Sequence, residues 1–541
     1  YTPWPDMAAA LREAGLPLYS LETRHSLRDF HVVGFTLQYE LNYTNVLETL
    51  DLAGIPLQSA ARDESYPLIV AGGSSNYNPE PLAEFFDLFV IGEGEEVLLE
   101  LLALVRESQG LSRAELLRRA AALSGIYVPS LYHVAYNLDG TVAAVEPLAP
   151  GVAERVTKRI VACLSPPVTR PVVPLLEVVH DRGAIEIQRG CSEGCRFCQA
   201  GMIYRPVRER RPEDVIEAVD ELLRNTGYEE VGLVSLASSD YSQIEPLLQA
   251  LVRRYAPEHV SFSLPSLRVD AFSVGLAEMV QATRKTGLTF APEAGSERLR
   301  AVINKNVTEE DLVQTAEAAY SAGWDRIKLY FMLGLPTETD EDVEEIARLA
   351  RRVLAIGRRH RGKRAQVHVS SSTFVPKPHT PFQWMPLVDL ETVERRQRLL
   401  GEQLRGRGLQ LSWTAPQTTL LEAALGRGDR RVGQVIEAAW RGGAIFDAWG
   451  ERFRPDVWWQ AFSAVGLDPH DYASRQRDLE EVLPWDHINV GVTKAFLIAE
   501  YERALHGEPT PDCREGCHRC GVLEAFAAQR RQVQKGVWEC P

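Results

Sequence analysis

From Ala184 to Ser371 the chain repeats one pattern, a short apolar strand followed by an amphipathic helix. Six strands are predicted, at Ala184–Gln188, Glu230–Leu236, Val260–Leu264, Leu288–Ala291, Arg326–Met332 and Gln366–Ser371. Five helices are predicted between them, at Pro212–Asn225, Gln243–Tyr255, Val274–Thr286, Thr308–Ala322 and Glu341–Ile356. Strands that alternate with helices form parallel sheets, so the pattern predicts a partial (β/α)6 barrel. In such barrels the chemistry takes place at the carboxyl ends of the strands.

Three cysteines follow the first of these strands with the spacing C-x3-C-x2-C: Cys191, Cys195 and Cys198. Thiolates this close in sequence can hold three corners of a [4Fe–4S] cluster and leave the fourth iron open to a small molecule. A zinc knuckle would need a fourth Cys or His in the same loop, and the loop has none. The spacing therefore favours an iron–sulfur site over zinc or over unrelated thiols.

The same spacing returns near the end of the chain, at Cys513, Cys517 and Cys520. Cys540 could add a fourth ligand, and His518 lies within the loop. A second iron–sulfur cluster, a zinc site and free thiols all fit this pattern. Six of the eight cysteines fall in the two sets. Such clustering is typical of metal ligation in a reducing, cytoplasmic setting rather than of a disulfide framework.

Residues 1–150 alternate strands and helices on a smaller scale. Strands are predicted at His31–Thr36 and Pro67–Gly73, and a third begins at Asp87 and enters a helix through the Gly92 turn. This alternation predicts a Rossmann-like doubly wound sheet, in which ligands bind beyond the carboxyl ends of the strands. The glycine turns at two of these ends either admit a ligand or simply close the chain, and the sequence favours the plain turn.

Composition shifts along the chain predict four regions. They are a Rossmann-like domain, a proline-rich linker, the barrel, and a mainly helical extension that carries the second cysteine set. Their predicted bounds are 1–150, 151–180, 181–385 and 386–541. Within the first, residues 131–147 are predicted to form a hairpin with Asn137–Gly140 as its turn.

The net charge is −15 over 541 residues. Binding to nucleic acid over the whole surface needs clustered Lys and Arg, so the charge does not indicate a nucleic-acid partner. Local arginine-rich segments are interpreted as solvated helix faces. The sequence contains no apolar run long enough to cross a membrane and no recognisable signal peptide.

Polar side chains follow the later strands of the predicted barrel. Glu293 and Ser296 lie in a glycine turn after the fourth strand, where Glu293 could accept hydrogen bonds from a ribose hydroxyl or an ammonium group, or face a helix N-terminus. Lys328 and Gly334 are assigned to the end of the fifth strand, where Lys328 is a ligand contact or a solvated lysine. His379 is interpreted as a hydrogen-bonded structural residue. Weaker candidates follow the third strand: Ser263, Ser266 and Arg268.

Several of these motifs resemble those of the radical S-adenosylmethionine (SAM) superfamily. They are the cysteine loop with Phe197 between its second and third cysteines, the Glu293–Ser296 turn and the Gly334–Thr339 turn. Six segments along the chain are similar to one family within it: Gln38–Asn45, Asn78–Pro81, Gly92–Glu95, Arg189–Arg205, Phe374–Pro381 and Leu483–His487. The chain as a whole resembles the radical SAM family with an N-terminal cobalamin-binding-type domain and a C-terminal extension.

The resemblance implies an enzyme that uses a [4Fe–4S] cluster to cleave SAM reductively and start radical chemistry. It implies that the cluster is held by the first cysteine set and reduced by a partner such as flavodoxin or ferredoxin. The residues that it assigns to cofactor binding are Phe197, Glu293, Ser296, Lys328 and Gly334. The cysteines expected to bind metal are Cys191, Cys195, Cys198, Cys513, Cys517 and Cys520, with Cys540 as an added ligand.

The reaction that follows is left open by the sequence. Methyl transfer through cobalamin, sulfur insertion through a second cluster, and a rearrangement or cyclisation all belong to the class, and the substrate is not specified. Relatives carry a further strand and loop before the position of Tyr1, so the Rossmann-like domain is expected to be incomplete here and its N-terminus truncated. The alternative is a cobalamin or iron–sulfur sensor without catalysis.

Overall fold

The computed structural model describes residues 1–176, 178–264, 269, 288–534, 537, 538 and 540. The chain forms two compact units, each assembled from three stretches of sequence. The first unit contains residues 1–161, 375–387 and 417–491, and the second contains residues 162–374, 388–416 and 492–541. These units cut across the predicted bounds at 150, 180 and 385, because segments distant in sequence pack into each core. The division into four domains stays a prediction.

The first unit contains a four-stranded sheet in the order β1-β2-β3-β4. Its strands are β1 (Val32–Thr36), β2 (Leu68–Gly72), β3 (Leu88–Val90) and β4 (Ile126–Tyr127). The first three are parallel and β4 runs antiparallel to β3. Buried apolar residues run without a break through β3 and nearly so through β2, as expected when helices cover both faces of a parallel sheet.

The other elements of the first unit are mostly helical. Its helices are Pro5–Ala14, Tyr43–Leu52, Gly94–Glu107, Arg113–Ala120, Pro416–Gly426, Val432–Arg441, Pro455–Val465 and Pro469–Ala473. The predicted hairpin is confirmed as Tyr132–Tyr136 paired antiparallel with Val142–Pro147. Part of the predicted linker is also a strand, since Val156–Thr157 pairs with Ile488–Asn489.

The second unit contains two parallel sheets whose strands follow chain order. One sheet has three strands: β5 (Gly183–Glu186), β6 (Glu230–Val234) and β7 (Ser261–Ser263). The other has four: β8 (Leu288–Glu293), β9 (Arg326–Leu333), β10 (Gln366–Thr373) and β11 (Leu409–Trp413). A parallel order that follows the chain, with helices between the strands, is the arrangement of a (β/α) barrel. The mixed α/β class and all six predicted strands are confirmed.

Strand β11 was not predicted, because residues after Asp389 were expected to be helical. Between Asp389 and β11 the chain forms the helix Leu390–Gln403. Strand β11 then pairs with β10, with Leu409 opposite Val367 and Trp413 opposite Ser371. A run of five residues with only partial apolar alternation is too short to be identified as a strand between helical segments. The parallel sheet therefore continues beyond the predicted barrel limit at 385.

The second unit also contains the helices that alternate with these strands and further helices near the end of the chain. They are Gln199–Ile203, Pro212–Thr226, Ile244–Tyr255, Glu297–Val302, Glu309–Ser321, Asp340–Arg361, Leu390–Gln403, Lys494–Leu505, Val522–Ala525 and Ala527–Arg530. The longest, Asp340–Arg361, begins with a capping box between Thr339 and Asp342, and its buried stripe includes Val343 and Ile346. Within the described residues, no helix has both the length and the apolar character needed to span a bilayer.

Two predictions lie outside the described residues. They are the helix Val274–Thr286 and the candidate side chains of Ser266 and Arg268.

Candidate functional site

The loop with Cys191, Cys195 and Cys198 follows β5 and leads into the helix Gln199–Ile203. It begins at Gly190, which has a φ of 87°. A Cβ at Gly190 would lie 2.8 Å from the carbonyl oxygens of Tyr204 and Pro206, so the tight start of the loop requires glycine. The structure thus places this loop at the carboxyl end of the first barrel strand, as predicted.

The thiols of this loop are partly buried and lie close enough to influence one another. Burial raises the pKa of Cys195 to about 12, and the neighbouring Cys198 and Cys191 contribute to the shift. Burial also raises the pKa of Cys198, although its Sγ accepts a hydrogen bond of 3.3 Å from the backbone N–H of Gly201. Without metal these thiols are protonated at neutral pH, and coordination to a metal deprotonates them.

Arg196, between the second and third cysteines, anchors the loop to the interior. Its side chain is fully buried and forms a 3.1 Å ion pair with Glu500. Its guanidinium also donates to one hydroxyl and three backbone carbonyls, those of Thr510, Ala301, Val302 and Glu508. A buried guanidinium is tolerated only when its donors are paired, and here the pairing ties the cysteine loop to two distant segments.

Asn304 provides a second anchor for the same loop. Its side-chain amide donates to the carbonyls of Glu193 and Gly194, at 3.2 and 3.3 Å. Its Oδ1 accepts from the N–H of Thr510 at 2.7 Å. Asn304 has a φ of 53°, a left-handed conformation that asparagine adopts more readily than most residues.

Glu293 stands at the carboxyl end of β8, where the strand becomes irregular. The pairing register with β9 shifts between Phe290 and Glu293, and Glu293 has a φ of 69°. A bulge re-aims a side chain, and left-handed conformations of residues other than glycine cluster at functional sites. The Glu293 carboxylate lies 3.9 Å from Lys305 Nζ, and both groups influence the pKa of Cys195. Burial raises the pKa of Glu293, and Lys305 opposes that shift.

Ser296 and Gly334 also lie at strand ends, but their contacts are structural. The Ser296 hydroxyl caps the helix Glu297–Val302 by accepting from Leu299 N, and it donates to Asp342. Gly334 has a φ of 81°, and a Cβ there would lie 2.3 Å from a side-chain carbon of Val388. Their assignment to cofactor binding stays a prediction.

Lys328 is not at a strand end, contrary to the assignment from sequence. It is the third of eight residues in β9 and pairs with Thr289, near the start of β8. At about 3.3 Å per residue, roughly 16 Å of strand separate it from Leu333 at the carboxyl end. Its Nζ donates to the hydroxyl of Tyr330 at 2.7 Å. The sequence pattern shows that Lys328 belongs to a strand but not how far it lies from the site. For this reason its position at the strand end was predicted wrongly.

The two remaining candidates are Phe197 and His379. Phe197 is partly exposed in the cysteine loop, and its cofactor role stays a prediction. His379, in the first unit, is buried, and its ring Nε2 is paired with the carbonyl of Tyr77 at 2.8 Å. Burial lowers the pKa of His379 to about 3, so the ring is neutral at pH 7. Its interpretation as a structural histidine is confirmed.

The second cysteine set lies in an irregular stretch after the helix Lys494–Leu505. Cys513 and Cys520 are partly exposed and Cys517 is exposed. The carbonyl of Cys520 accepts from the N–H of Thr493 at 2.9 Å. The ring of His518 pairs with the carbonyl of Pro511 at 3.0 Å.

The donor sets fit iron–sulfur clusters better than single ions. Within the described ranges, no group of three or more Cys, His, Asp or Glu side chains is arranged to hold one metal ion. A [4Fe–4S] cluster binds its thiolates one per iron, so the sulfurs need not converge on a single atom. Three partly buried thiols in one loop, with the Lys305 ammonium acting on Cys195 and Cys198, match the donor chemistry of an anionic cluster.

The glycine turns of the first unit, by contrast, are closed by the chain itself. A Cβ at Gly73 would lie 2.4 Å from the carbonyl oxygen of Leu37, and one at Gly92 would lie 2.2 Å from that of Arg159. Glu93 N donates to the same Arg159 carbonyl at 2.9 Å. These are the plain turns that the sequence favours, so neither glycine offers a close backbone approach to cobalamin.

Four residues with central places in this site were missed by sequence reasoning. They are Arg196, Arg205, Asn304 and Lys305. Their signal in the sequence is weak, because a buried arginine looks like any surface arginine until its partners are known. Lys305 comes from the turn after Glu297–Val302, and only the tertiary structure sets it beside Glu293.

A parallel-stranded barrel with a C-x3-C-x2-C loop after its first strand defines a radical SAM enzyme, and comparison with known families agrees. Residues 1–129 match the family described as radical SAM proteins, N-terminal, and residues 185–350 match the radical SAM superfamily. The chain is a radical SAM enzyme, a class that uses a [4Fe–4S] cluster and SAM.

Individual relatives are more distant. The uncharacterized protein MJ0966 of Methanocaldococcus jannaschii is 28% identical over 79% of this chain and 84% of its own length. A tRNA-2-methylthio-N(6)-dimethylallyladenosine synthase of Desulforamulus reducens is 28% identical, but the match spans 31% of this chain and 39% of that protein. Among solved structures, the radical SAM methyltransferase TsrM of Kitasatospora setae, with cobalamin and a [4Fe–4S] cluster bound, has a TM-score of 0.47 at 16% identity. That match covers 72% of this chain and 67% of TsrM.

Proposed function

We propose that Cys191, Cys195 and Cys198 hold the [4Fe–4S] cluster, and that Glu293 and Lys305 help to bind SAM beside it. The observation that carries this proposal is the end of β8. There the register shifts at Glu293, whose carboxylate lies 3.9 Å from Lys305 Nζ, and both charges act on the pKa of Cys195. The end of a barrel strand thus holds a carboxylate and an ammonium group close to the cysteine thiols.

The reduced cluster, when bound, supplies the electron that cleaves SAM and begins radical chemistry. The residues of the chain bind, orient and shield. Glu293 offers a carboxylate to the ammonium or hydroxyl groups of SAM, and charge-assisted hydrogen bonds of this kind are the stronger ones. Lys305 balances the negative charge of the thiolates and of Glu293. Arg196 and Asn304 hold the loop in place, so that it need not reorganise when the cluster binds.

The external reductant is proposed to be a one-electron carrier such as flavodoxin or ferredoxin. Such carriers work in the reducing, cytoplasmic setting that the cysteine content favours. Methyl transfer, sulfur insertion and rearrangement remain alternative outcomes for a substrate that the site does not identify.

The proposal is tested by anaerobic reconstitution of the full chain with iron and sulfide, followed by addition of dithionite and SAM. Formation of 5′-deoxyadenosine is expected. Its absence from a protein with an intact cluster would contradict catalysis and leave only a binding role.

The role of Glu293 is tested by SAM affinity. Loss of a hydrogen bond to a charged group costs about 1.5–3 kcal/mol, so Glu293→Gln is expected to weaken SAM binding roughly tenfold to a hundredfold. Glu297→Gln is the matched control, since Glu297 lies four residues further on with an exposed side chain. Equal affinity of the two variants would contradict the role of Glu293.

A further inference from the structure

The second cysteine set lies directly against the loop that carries the first. The backbone N–H of Cys513 donates to the carbonyl of Ser192 at 3.1 Å. The Ser192 hydroxyl donates to the carboxylate of Asp512 at 2.7 Å. Ser192 follows Cys191 in the sequence, and Asp512 precedes Cys513. One hydrogen-bonded contact thus joins the first cysteine of one set to the first cysteine of the other.

Buried groups hold the chain that leads into the second set. Glu500 is buried and pairs with Arg196 at 3.1 Å. The hydroxyl of Thr510, also buried, donates to Glu500 at 2.8 Å, and its N–H donates to Asn304 at 2.7 Å. A stretch of free thiols would need none of these contacts, so the placement of the second set is part of the fold.

Cys540 returns to the same place. Trp538 forms an antiparallel bridge with Arg208, and its indole N–H donates to the carbonyl of Ala162 at 2.8 Å. Cys540 follows two residues later. Cys540 is partly buried, like Cys513 and Cys520. Arg205, three residues before Arg208, hydrogen-bonds to Cys520, so the bridge at Trp538 brings Cys540 to the same part of the fold as the second set.

Arg205 lies between the two cysteine sets. Its buried guanidinium is 3.5 Å from where a Cβ of Gly194 would stand, in the first loop, and it hydrogen-bonds to Cys520 in the second. Its Nε is held by the carbonyl of Gly201 at 3.0 Å, and its charge faces the ring of Phe496 at 5.6 Å. One fixed positive charge therefore lies beside both cysteine loops.

We propose that Cys513, Cys517, Cys520 and Cys540 hold a second [4Fe–4S] cluster, which relays electrons to the first cysteine site. This inference rests on the proposed function of that first site. Four thiolates complete the coordination of a cluster, so no iron is left open for SAM or substrate, and electron transfer is the chemistry that remains. Cys517 is exposed, so this cluster would be open to a docking electron carrier, whereas each thiol of the first set is partly buried.

The relay balances one electron at a time. A reduced carrier of the flavodoxin or ferredoxin class loses one electron to the second cluster. That cluster returns to its oxidised state as the same electron reaches the first site. No bond forms or breaks at the second set, and one electron is consumed for each SAM cleaved.

The positive charge of Arg205 favours the reduced form of an adjacent cluster. Arg205→Gln is therefore expected to shift the midpoint potential of the second cluster to a more negative value in a redox titration followed by electron paramagnetic resonance. Arg205→Lys, which keeps the charge, should restore much of the potential. If both variants keep the wild-type potential, the electrostatic role of Arg205 is wrong.

The second cluster itself is tested by metal analysis of the reconstituted full chain. Wild type is expected to hold about eight irons, and the triple variant Cys513→Ala, Cys517→Ala, Cys520→Ala about four. The single variant Cys517→Ala, at an exposed position, makes the same test if the triple variant does not fold. Cys163→Ala, at a lone exposed cysteine, is the control and should keep the wild-type iron content.

The relay is tested by changing the reductant. The triple variant should still form 5′-deoxyadenosine with dithionite, which reaches the first site directly, but lose that activity with reduced flavodoxin. One zinc in place of four irons, an unchanged iron content in the triple variant, or full activity with flavodoxin would overturn the inference. A wild type with about four irons that cleaves SAM would overturn the second cluster alone, and one with about eight irons that forms no 5′-deoxyadenosine would overturn the proposed function alone.

Discussion

The two C-x3-C-x2-C loops have the same spacing but very different surroundings. The residue after the second cysteine shows the difference best. In the first loop it is Arg196, which is fully buried and paired with Glu500. In the second it is His518, which is partly exposed and pairs with the carbonyl of Pro511. The first loop is thus anchored by a fully buried side chain, whereas the second is anchored by an exposed one, Arg514, which donates to the carbonyl of Asp240 at 2.9 Å.

This contrast supports the different tasks proposed for the two loops. A loop that must present an open iron to SAM benefits from rigid placement at a strand end. A loop whose four thiolates enclose a cluster needs only proximity to the first site and access from solvent. Mutations in each loop can test whether the two loops have different tasks.

The largest effect is expected from loss of a first-loop ligand. Cys191→Ala removes one corner of the SAM-binding cluster, so 5′-deoxyadenosine should fall to background with dithionite as the reductant. Cys517→Ala, in the second loop, should leave the product within the range of wild type in the same assay. Equal loss in both variants would show that the two loops do not have separate tasks.

The anchoring of the first loop is tested by stability. Arg196→Met removes the shorter ion pair of buried Glu500 and leaves only Arg503 at 3.7 Å among the described residues; breaking a buried ion pair costs about 3–5 kcal/mol of unfolding free energy, so a loss toward the lower end is expected. His518→Met, at the equivalent position of the second loop, is expected to change stability by less than about 0.5 kcal/mol.

Denaturant unfolding of the iron-free proteins measures both values. Arg196→Met combined with Glu500→Leu should recover part of the loss, because the uncompensated charge is then removed. A small effect of Arg196→Met alone would mean that the first loop is not anchored as described.

Reactivity of the iron-free thiols gives a third comparison. The thiolate is the reactive form, and burial raises the pKa of Cys195 to about 12. Iodoacetamide should therefore modify exposed Cys517 well before Cys195 at pH 8. Because the pKa of Cys195 lies far above this range, its rate should rise roughly tenfold for each pH unit between 7 and 9. Peptide mass spectrometry measures both rates, and early modification of Cys195 would contradict its burial.

The smallest effect is expected where the two loops meet. Ser192→Ala removes the hydrogen bond to Asp512 and should lower the unfolding free energy by about 1 kcal/mol. It should also speed proteolytic release of the C-terminal segment. Ser321→Ala is the matched control, since that hydroxyl bonds only to the carbonyl of Ala318 in its own helix. Equal rates of release in the two variants would contradict the contact between the loops.

Much of the barrel could be predicted from local pattern. Strand and helix periodicity is set by which face of each element is buried, and the six predicted strands appear within a few residues of their expected bounds. The short β11 escaped because its five residues carry too little periodicity. Lys328 was placed at the wrong end of β9, because a strand's pattern shows its faces but not the position of a residue relative to the site.

Local sequence pattern is enough to identify the class of enzyme, the first cysteine loop and the presence of a second cysteine set. It could do so because those thiols are close in the chain, and closeness in the chain needs no fold to be recognised. The contacts between Glu293 and Lys305 and between Arg196 and Glu500 are visible only in the folded chain. The same is true of the contact between the two cysteine loops at Ser192 and Arg205. Glu500 lies 304 residues beyond Arg196, and Asp512 lies 320 beyond Ser192. Contacts over such separations depend on how the helices and strands pack, and no local pattern records them.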